Sequence, residues 1–178
     1  MAQQSVNQLE LIKDFLHDDY REKGENARFL REKNIMKREI VCHKGIEYLL
    51  YRYDPDTVKL FPYFAEKYGL RKICDYFLFA TEGQYLYILL IELKLGTESA
   101  REQLIASELL AEFMKKSAKR VGIQPTEHIF IRKIRVSEER AKKRNRSTKP
   151  TSIKYDNNMI LNYDHSDIFR IKEVLDTF

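Results

Sequence analysis

Residues 71–96 read "RKICDYFLFATEGQYLYILLIELKLG". Two apolar runs flank Glu82-Gly83, the pattern of a β-hairpin with strands over about 72–80 and 85–94. Three charges interrupt it: Asp75 in the first run, Glu92 and Lys94 near the end of the second. Strand side chains alternate faces, so Glu92 and Lys94 share one face and Leu93 takes the other. The face of Asp75 depends on the loop. A two- or four-residue loop brings Asp75 opposite Leu90, onto the face of Glu92 and Lys94; a plain three-residue loop puts it on the other face. The same alternation sends Cys74 away from Asp75, into buried packing.

On a shared face, two carboxylates would repel, and burial would deepen the repulsion. A divalent cation relieves both. Hard cations such as Mg²⁺ take oxygen ligands, usually one or two carboxylates with waters and substrate phosphate. Asp75 and Glu92 are the candidate ligands, with the backbone carbonyl of Leu93 as a third. Lys94 beside such an ion would orient an attacking water or offset charge building on phosphorus. The plain alternative is a cross-strand ion pair between Asp75 and Lys94 with Glu92 at the rim. Against it, Glu92-Leu93-Lys94 is the only acid-x-Lys in the chain. It also ends an otherwise apolar strand, and a helix follows.

That helix is the clearest in the sequence: "TESAREQLIASELLAEFMKKSAKRVG", residues 97–122. Thr97 or Ser99 can cap it, Ser99 with Glu102 fits a capping box, and Gly122 ends it. Acids crowd its start and bases its end, as the helix dipole favours. Gln103 lies on a stripe with Ala106 and Leu110 and needs a polar partner there. That partner is either a backbone carbonyl or a ligand, water or phosphate at the site. Before the hairpin, Val6, Leu9, Ile12, Phe15 and Leu16 recur at helical spacing, which predicts a helix over roughly 5–20. "KGENARFLREKN" reads as a second helix or a loop. "REIVCHKGIEYLLYRYDPD" reads as two strands around Lys44-Gly45, and "LFPYFAEKYG" as a short helix. After the long helix come a strand, "HIFIRKIRV", a hairpin in "TSIKYDNNMILNY" turning at Asp156-Asn157, and a helix in "SDIFRIKEVLDTF" capped by Ser166. The class is α/β in the mixed α+β sense, around a sheet of four or more strands.

The chain has 178 residues, which suits one domain with its own core. Its expected parts are a core over 40–136, a basic loop over 137–151 and a C-terminal addition over 152–178. Apolar residues make up 43% and charged residues 33%, a globular profile. The longest apolar run, "YLYILLI", is too short to span a bilayer, so no membrane is expected. "MAQQSVNQLELIKDF" lacks a basic n-region before an apolar core, so no secretory signal is expected. Two cysteines and four scattered histidines exclude a disulfide framework and a structural zinc site. A reducing cytoplasm is the expected compartment. Net charge is +5, and it concentrates in "RAKKRNRSTK", residues 140–149. Lys142, Lys143, Arg144, Arg146 and Lys149 there are candidate phosphate contacts, which would give salt-sensitive binding without sequence preference. The other reading is a solvated loop.

With "CDYFLFA" carrying Asp75, "LLIELKLG" carrying Glu92 and Lys94, and the helix "ESAREQLIASELLAEF" behind them, the sequence resembles the PD-(D/E)xK nuclease superfamily. The resemblance covers residues 71–136. It implies a restriction-endonuclease-like αβββαβ core, a central mixed sheet flanked by helices, here extended by a C-terminal hairpin and helix. It implies metal-dependent hydrolysis of phosphodiester bonds, with DNA as the substrate partner. Asp75 and Glu92 would ligate Mg²⁺ or Mn²⁺, and Lys94 would assist the water. Gln103 matches a Gln carried by several branches near the start of that helix. The Pro that some members have before the Asp is absent, and Ser107 stands where one branch has Tyr. Many members add an acid from the first helix; Glu10, Asp14, Glu25 and Glu47 are the candidates. A homodimer is compatible with the sequence. A non-catalytic nucleic-acid-binding or protein-interaction module on the same fold is the rival reading.

Overall fold

A computed structural model describes residues 7–32, 36–53, 72–96, 98–123, 126, 128–138, 153–163 and 168–177. In chain order its elements are α1 (Gln8–Phe15), β1 (Phe29–Glu32), β2 (Met36–Val41), β3 (Ile46–Arg52), β4 (Tyr76–Glu82), β5 (Tyr85–Leu95), α2 (Arg101–Arg120), β6 (Ile129–Glu138), β7 (Lys154–Tyr155), β8 (Ile160–Tyr163), β9 (Ile168–Arg170) and α3 (Ile171–Leu175). Short 3₁₀ turns cover Asp18–Tyr20 and Asn26–Arg28. The architecture is mixed α+β: two mixed sheets with helices against them.

The central sheet has six strands in the order β3-β4-β5-β6-β8-β7. The first three form an antiparallel meander. Parallel neighbours need a long crossover, and α2 supplies it between β5 and β6. β8 lies parallel to β6. A smaller sheet orders β1-β2-β9, with β2 and β9 parallel. β4 and most of β5 are buried on both faces, and such strands read as unbroken apolar runs. On one face Phe77, Phe79, Ile88 and Leu90 pack with Leu9 and Ile12 of α1 and Leu104 and Ala111 of α2. On the other, Leu78, Leu89, Ile91 and Leu93 pack with Leu30, Met36 and Ile40 of the small sheet and with Ile171, Val174 and Leu175 of α3. The loop between β4 and β5 is Gly83-Gln84, and Gly83 takes a left-handed φ of +60° that an L side chain resists.

The structure departs from the sequence reading where tertiary contacts outrank local pattern. "KGENARFLREKN" is neither helix nor plain loop: its middle forms β1. Leu30 is fully buried there, and the Arg31 N–H donates to the Tyr76 hydroxyl at 3.0 Å. The strands around Lys44-Gly45 belong to different sheets. The N-terminal helix is shorter than expected, because it gives way after Phe15 to the 3₁₀ turn. The last segment opens as a strand, not a helix: β9 exchanges ladder bonds with β2, leaving only Ile171–Leu175 helical. The C-terminal part joins both sheets: β8 and β7 extend the central sheet beyond β6, and β9 pairs with β2 in the small one. The predicted helix in "LFPYFAEKYG" and the Ser166 cap lie outside the described residues. Among the described residues no helix is long and apolar enough to cross a membrane.

Arg132 of β6 is buried and donates to the carbonyls of Val174, at 2.8 Å, and Thr177, and to the Tyr155 hydroxyl at 3.2 Å. One guanidinium thus satisfies carbonyls at the end of α3 and ties that helix to the central sheet.

Leu90 is fully buried between the hairpin and α2, whereas Leu95 is exposed. Leu90→Ala is expected to cost about 2–5 kcal/mol in urea unfolding, against about 0.5 kcal/mol or less for Leu95→Ala.

Candidate active site

The hairpin register builds the site. Tyr76 pairs with Ile91, so one further step sets Asp75 across from Glu92. The loop has two residues, one of the lengths that bring Asp75 onto the face of Glu92. The facing residue is Glu92 itself rather than Leu90, because the pairing is shifted by two residues from the expected register, which keeps the face. Asp75 lies just before β4, and Glu92, Leu93 and Lys94 lie near the end of β5.

Each carboxylate is fixed by the other strand's backbone. The Asp75 N–H donates to Glu92 Oε2 at 3.2 Å, and the Leu93 N–H donates to Asp75 Oδ2 at 2.8 Å. Lys94 Nζ pairs with Glu92 Oε1 at 2.8 Å. Both partners are well covered, with side-chain exposures of 15% for Lys94 and 5% for Glu92. The ordinary alternative, an Asp75–Lys94 pair with Glu92 at the rim, is therefore not what forms. A strand residue sends its N–H and C=O to the same edge. The Leu93 carbonyl accordingly leaves β5 on the side of Asp75, beyond the first residue of β4.

The backbone around Asp75 is held from two sides. Its carbonyl accepts from the Tyr53 N–H at 3.2 Å, just past β3. The preceding N–H, of Cys74, donates to Ser107 Oγ of α2 at 2.7 Å, and that hydroxyl donates to the Gln103 carbonyl at 2.7 Å. Cys74 is buried as expected, but among the helix-side residues rather than on the opposite face. The strand starts only at Tyr76, so alternation does not reach it. Burial pushes the Cys74 thiol well up, which keeps it neutral.

Burial is also the largest influence on both acids. It pushes the Asp75 carboxyl up to about 6, opposed by the Leu93 N–H and the charges of Lys94 and Arg52. It pushes Glu92 up to about 7, reinforced by the Asp75 charge and opposed by Lys94. Two further residues were not visible in the sequence. Glu32 of β1 adds a negative charge that raises Asp75, and Arg52 of β3 adds a positive one that lowers it. The Tyr76 hydroxyl bonds both the N–H and the carbonyl of Arg31, which places Glu32 near the site. The Arg52 guanidinium lies 5.8 Å from the Tyr76 ring centre. The N-terminal acid acting on Asp75 is thus Glu32 rather than Glu10, Asp14, Glu25 or Glu47. The missed signal was β1, since a segment not read as a strand gives its residues no face.

Gln103 stands in the first turn of α2, half-buried, and its side chain makes no hydrogen bond to Asp75, Glu92 or Lys94. The helix begins one residue later than the capping box requires. Ala100 is the N-cap, and Ser99 Oγ accepts from the Arg101 N–H at 3.3 Å. Lys142, Lys143, Arg144, Arg146 and Lys149 lie outside the described residues.

The donor set suits a hard divalent cation. Three donors serve the four carboxylate oxygens, and Asp75 Oδ1 accepts no hydrogen bond among the described residues. Two raised carboxyls, one unengaged oxygen and the Leu93 carbonyl make an all-oxygen group. No cluster of three or more His, Cys, Asp and Glu side chains that could hold a metal occurs among the described residues. The set is thus a two-carboxylate one, the kind in which Mg²⁺ keeps several waters.

Both acids hold protons more tightly folded than unfolded, so their contribution to stability falls as pH rises between about pH 4 and about pH 7. Calorimetry should show that loss, and Asp75→Asn should reduce it. Mg²⁺ should raise Tm near pH 8 and lose that effect near pH 5, where protons compete for the same oxygens. A Tm indifferent to Mg²⁺ at pH 8 contradicts the site. Ser107→Ala strands the buried Cys74 N–H and is expected to cost about 1–3 kcal/mol in denaturant unfolding.

No family model, curated protein or solved structure matches this chain.

Proposed function

We propose that this chain is a metal-dependent nuclease that hydrolyses DNA phosphodiester bonds, on a restriction-endonuclease-like core of the PD-(D/E)xK type. The observation that carries the reading is the convergence of the half-buried Asp75 and the buried Glu92 carboxylates, with Lys94 seated on Glu92. A structural ion pair needs one acid and one base. Here a second acid is buried beside the pair at a cost to both pKa values, and a bound cation would remove that cost. The element run α1, β3, β4, β5, α2, β6 supports the same core.

Asp75 and Glu92 would hold the ion, together with the Leu93 carbonyl. Bound Mg²⁺ or Mn²⁺ would supply Lewis acidity at a scissile phosphate and a more acidic water. Lys94 carries its ammonium on Glu92 Oε1, where it can donate to a nucleophilic water or to a non-bridging phosphate oxygen. Arg52 adds a second cation on the β3 side, suited to a phosphate of the bound strand. Gln103, at the start of α2, is the proposed substrate-side hydrogen-bonding group. Residues 140–149, with Lys142, Lys143, Arg144, Arg146 and Lys149, would add backbone contacts that weaken with salt.

The test is cleavage of linear, nicked, branched and single-stranded DNA in Mg²⁺ or Mn²⁺. Asp75→Ala, Glu92→Ala and Lys94→Ala should each lower the rate by about 10²-fold or more. Equal cleavage by wild type and all three variants identifies a contaminant and ends the proposal. Salt-sensitive binding without cleavage favours a non-catalytic module.

A further inference from the structure

The long crossover helix has two apolar faces, and only one of them is used. Leu104, Ser107, Ala111 and Ala118 are buried against the sheet. At about 100° per residue, Ile105, Leu109 and Phe113 form a second stripe roughly opposite. Leu109 is 69% exposed and Phe113 66%, with Ile105 at 38%. Large apolar side chains standing together on a charged surface mark an interaction site more often than chance exposure does. The charges on the same face say what fits it. Glu102 lies seven residues before Leu109 and Lys116 seven after, so all three share the stripe. Both are exposed, and neither takes part in an ion pair among the described residues.

We infer that this face of α2 binds the same face of a second copy, antiparallel, about a two-fold axis at Leu109. That placement brings Leu109 onto its own counterpart and Ile105 against Phe113, four positions to either side. It sets Glu102 against Lys116 of the other copy, twice by symmetry. The antiparallel sense also sets each helix's acidic start beside the other's basic end, as the helix dipoles favour. A parallel pairing would oppose Glu102 to Glu102 and Lys116 to Lys116. An unrelated partner would have to match an acid and a base at this spacing around an apolar centre; a second copy matches them without further requirement. One helix face is smaller than the roughly 800 Å² per partner of a standard interface, so the dimer should be a micromolar one. The inference does not depend on the nuclease reading, and the nuclease reading does not depend on it.

Sedimentation equilibrium of the full chain tests it. Wild type should pass from monomer to dimer as concentration rises through the micromolar range. Leu109→Asp, at an exposed position, should leave the circular dichroism spectrum unchanged and abolish the dimer. Glu102→Lys alone and Lys116→Glu alone should each weaken association about tenfold or more, and the two together should restore it. Wild type that stays monomeric at about 500 µM overturns the proposal. So does a dimer that Leu109→Asp leaves intact, and so do charge reversals whose double variant associates no better than either single one.

Discussion

The end of the central sheet depends on the register of one hairpin. A two-residue loop at Gly83-Gln84 pairs Tyr76 with Ile91, and from that pairing Asp75 meets Glu92. A slip of one residue would turn Asp75 to the other face and leave Glu92 buried with Lys94 alone. The slip is resisted along the whole hairpin. Every residue from Tyr76 to Ala80 and from Leu86 to Leu93 is buried, so each would have to exchange one packed face for the other. The register of the site is therefore secured by the core, not by the charges. The charges oppose it, since burying two carboxylates side by side raises both.

The sequence carries this hairpin plainly because its strands are covered on both faces and read as continuous apolar runs. The long helix was equally legible, through its length, its charge gradient and Gly122, whose φ is +76°. Alternation placed Glu92 and Lys94 on one face, but the face of Asp75 waited on the loop length, which the structure gives as two residues. The small sheet was illegible. β1, β2 and β9 are short, and the pairing of β2 with β9 joins residues far apart in the chain. Phe29-Leu30 in a charged context and Ile168-Phe169 before a helical pattern give no local sign of a ladder. Glu32 and Arg52 were missed for the same reason: their relation to Asp75 exists only once β1 and β3 have been placed. The capping of α2 failed by one residue, where local hydrogen bonds compete nearly evenly.

Ser107 shows how packing and chemistry share atoms. Its hydroxyl accepts from the residue before Asp75 and donates to the carbonyl of Gln103. The helix that crosses from β5 to β6 thereby also fixes where the strand bearing Asp75 begins. One face of α2 is committed to that task, which leaves only the outer face to carry Ile105, Leu109 and Phe113.

The parallel pairing of β2 with β9 bears on how the chain is made. Glu39 aligns with Ile168, a contact spanning most of the sequence. On the ribosome the meander and α2 can assemble while the apolar underside of the sheet, around Leu78, Leu89 and Ile91, still lacks α3 and a completed small sheet. Closing so long a loop is slow, and exposed apolar surface invites association in the meantime. The nascent protein is thus most vulnerable to misassembly late in synthesis, on the face away from the candidate site, until β9 docks and Arg132 takes hold of the end of α3.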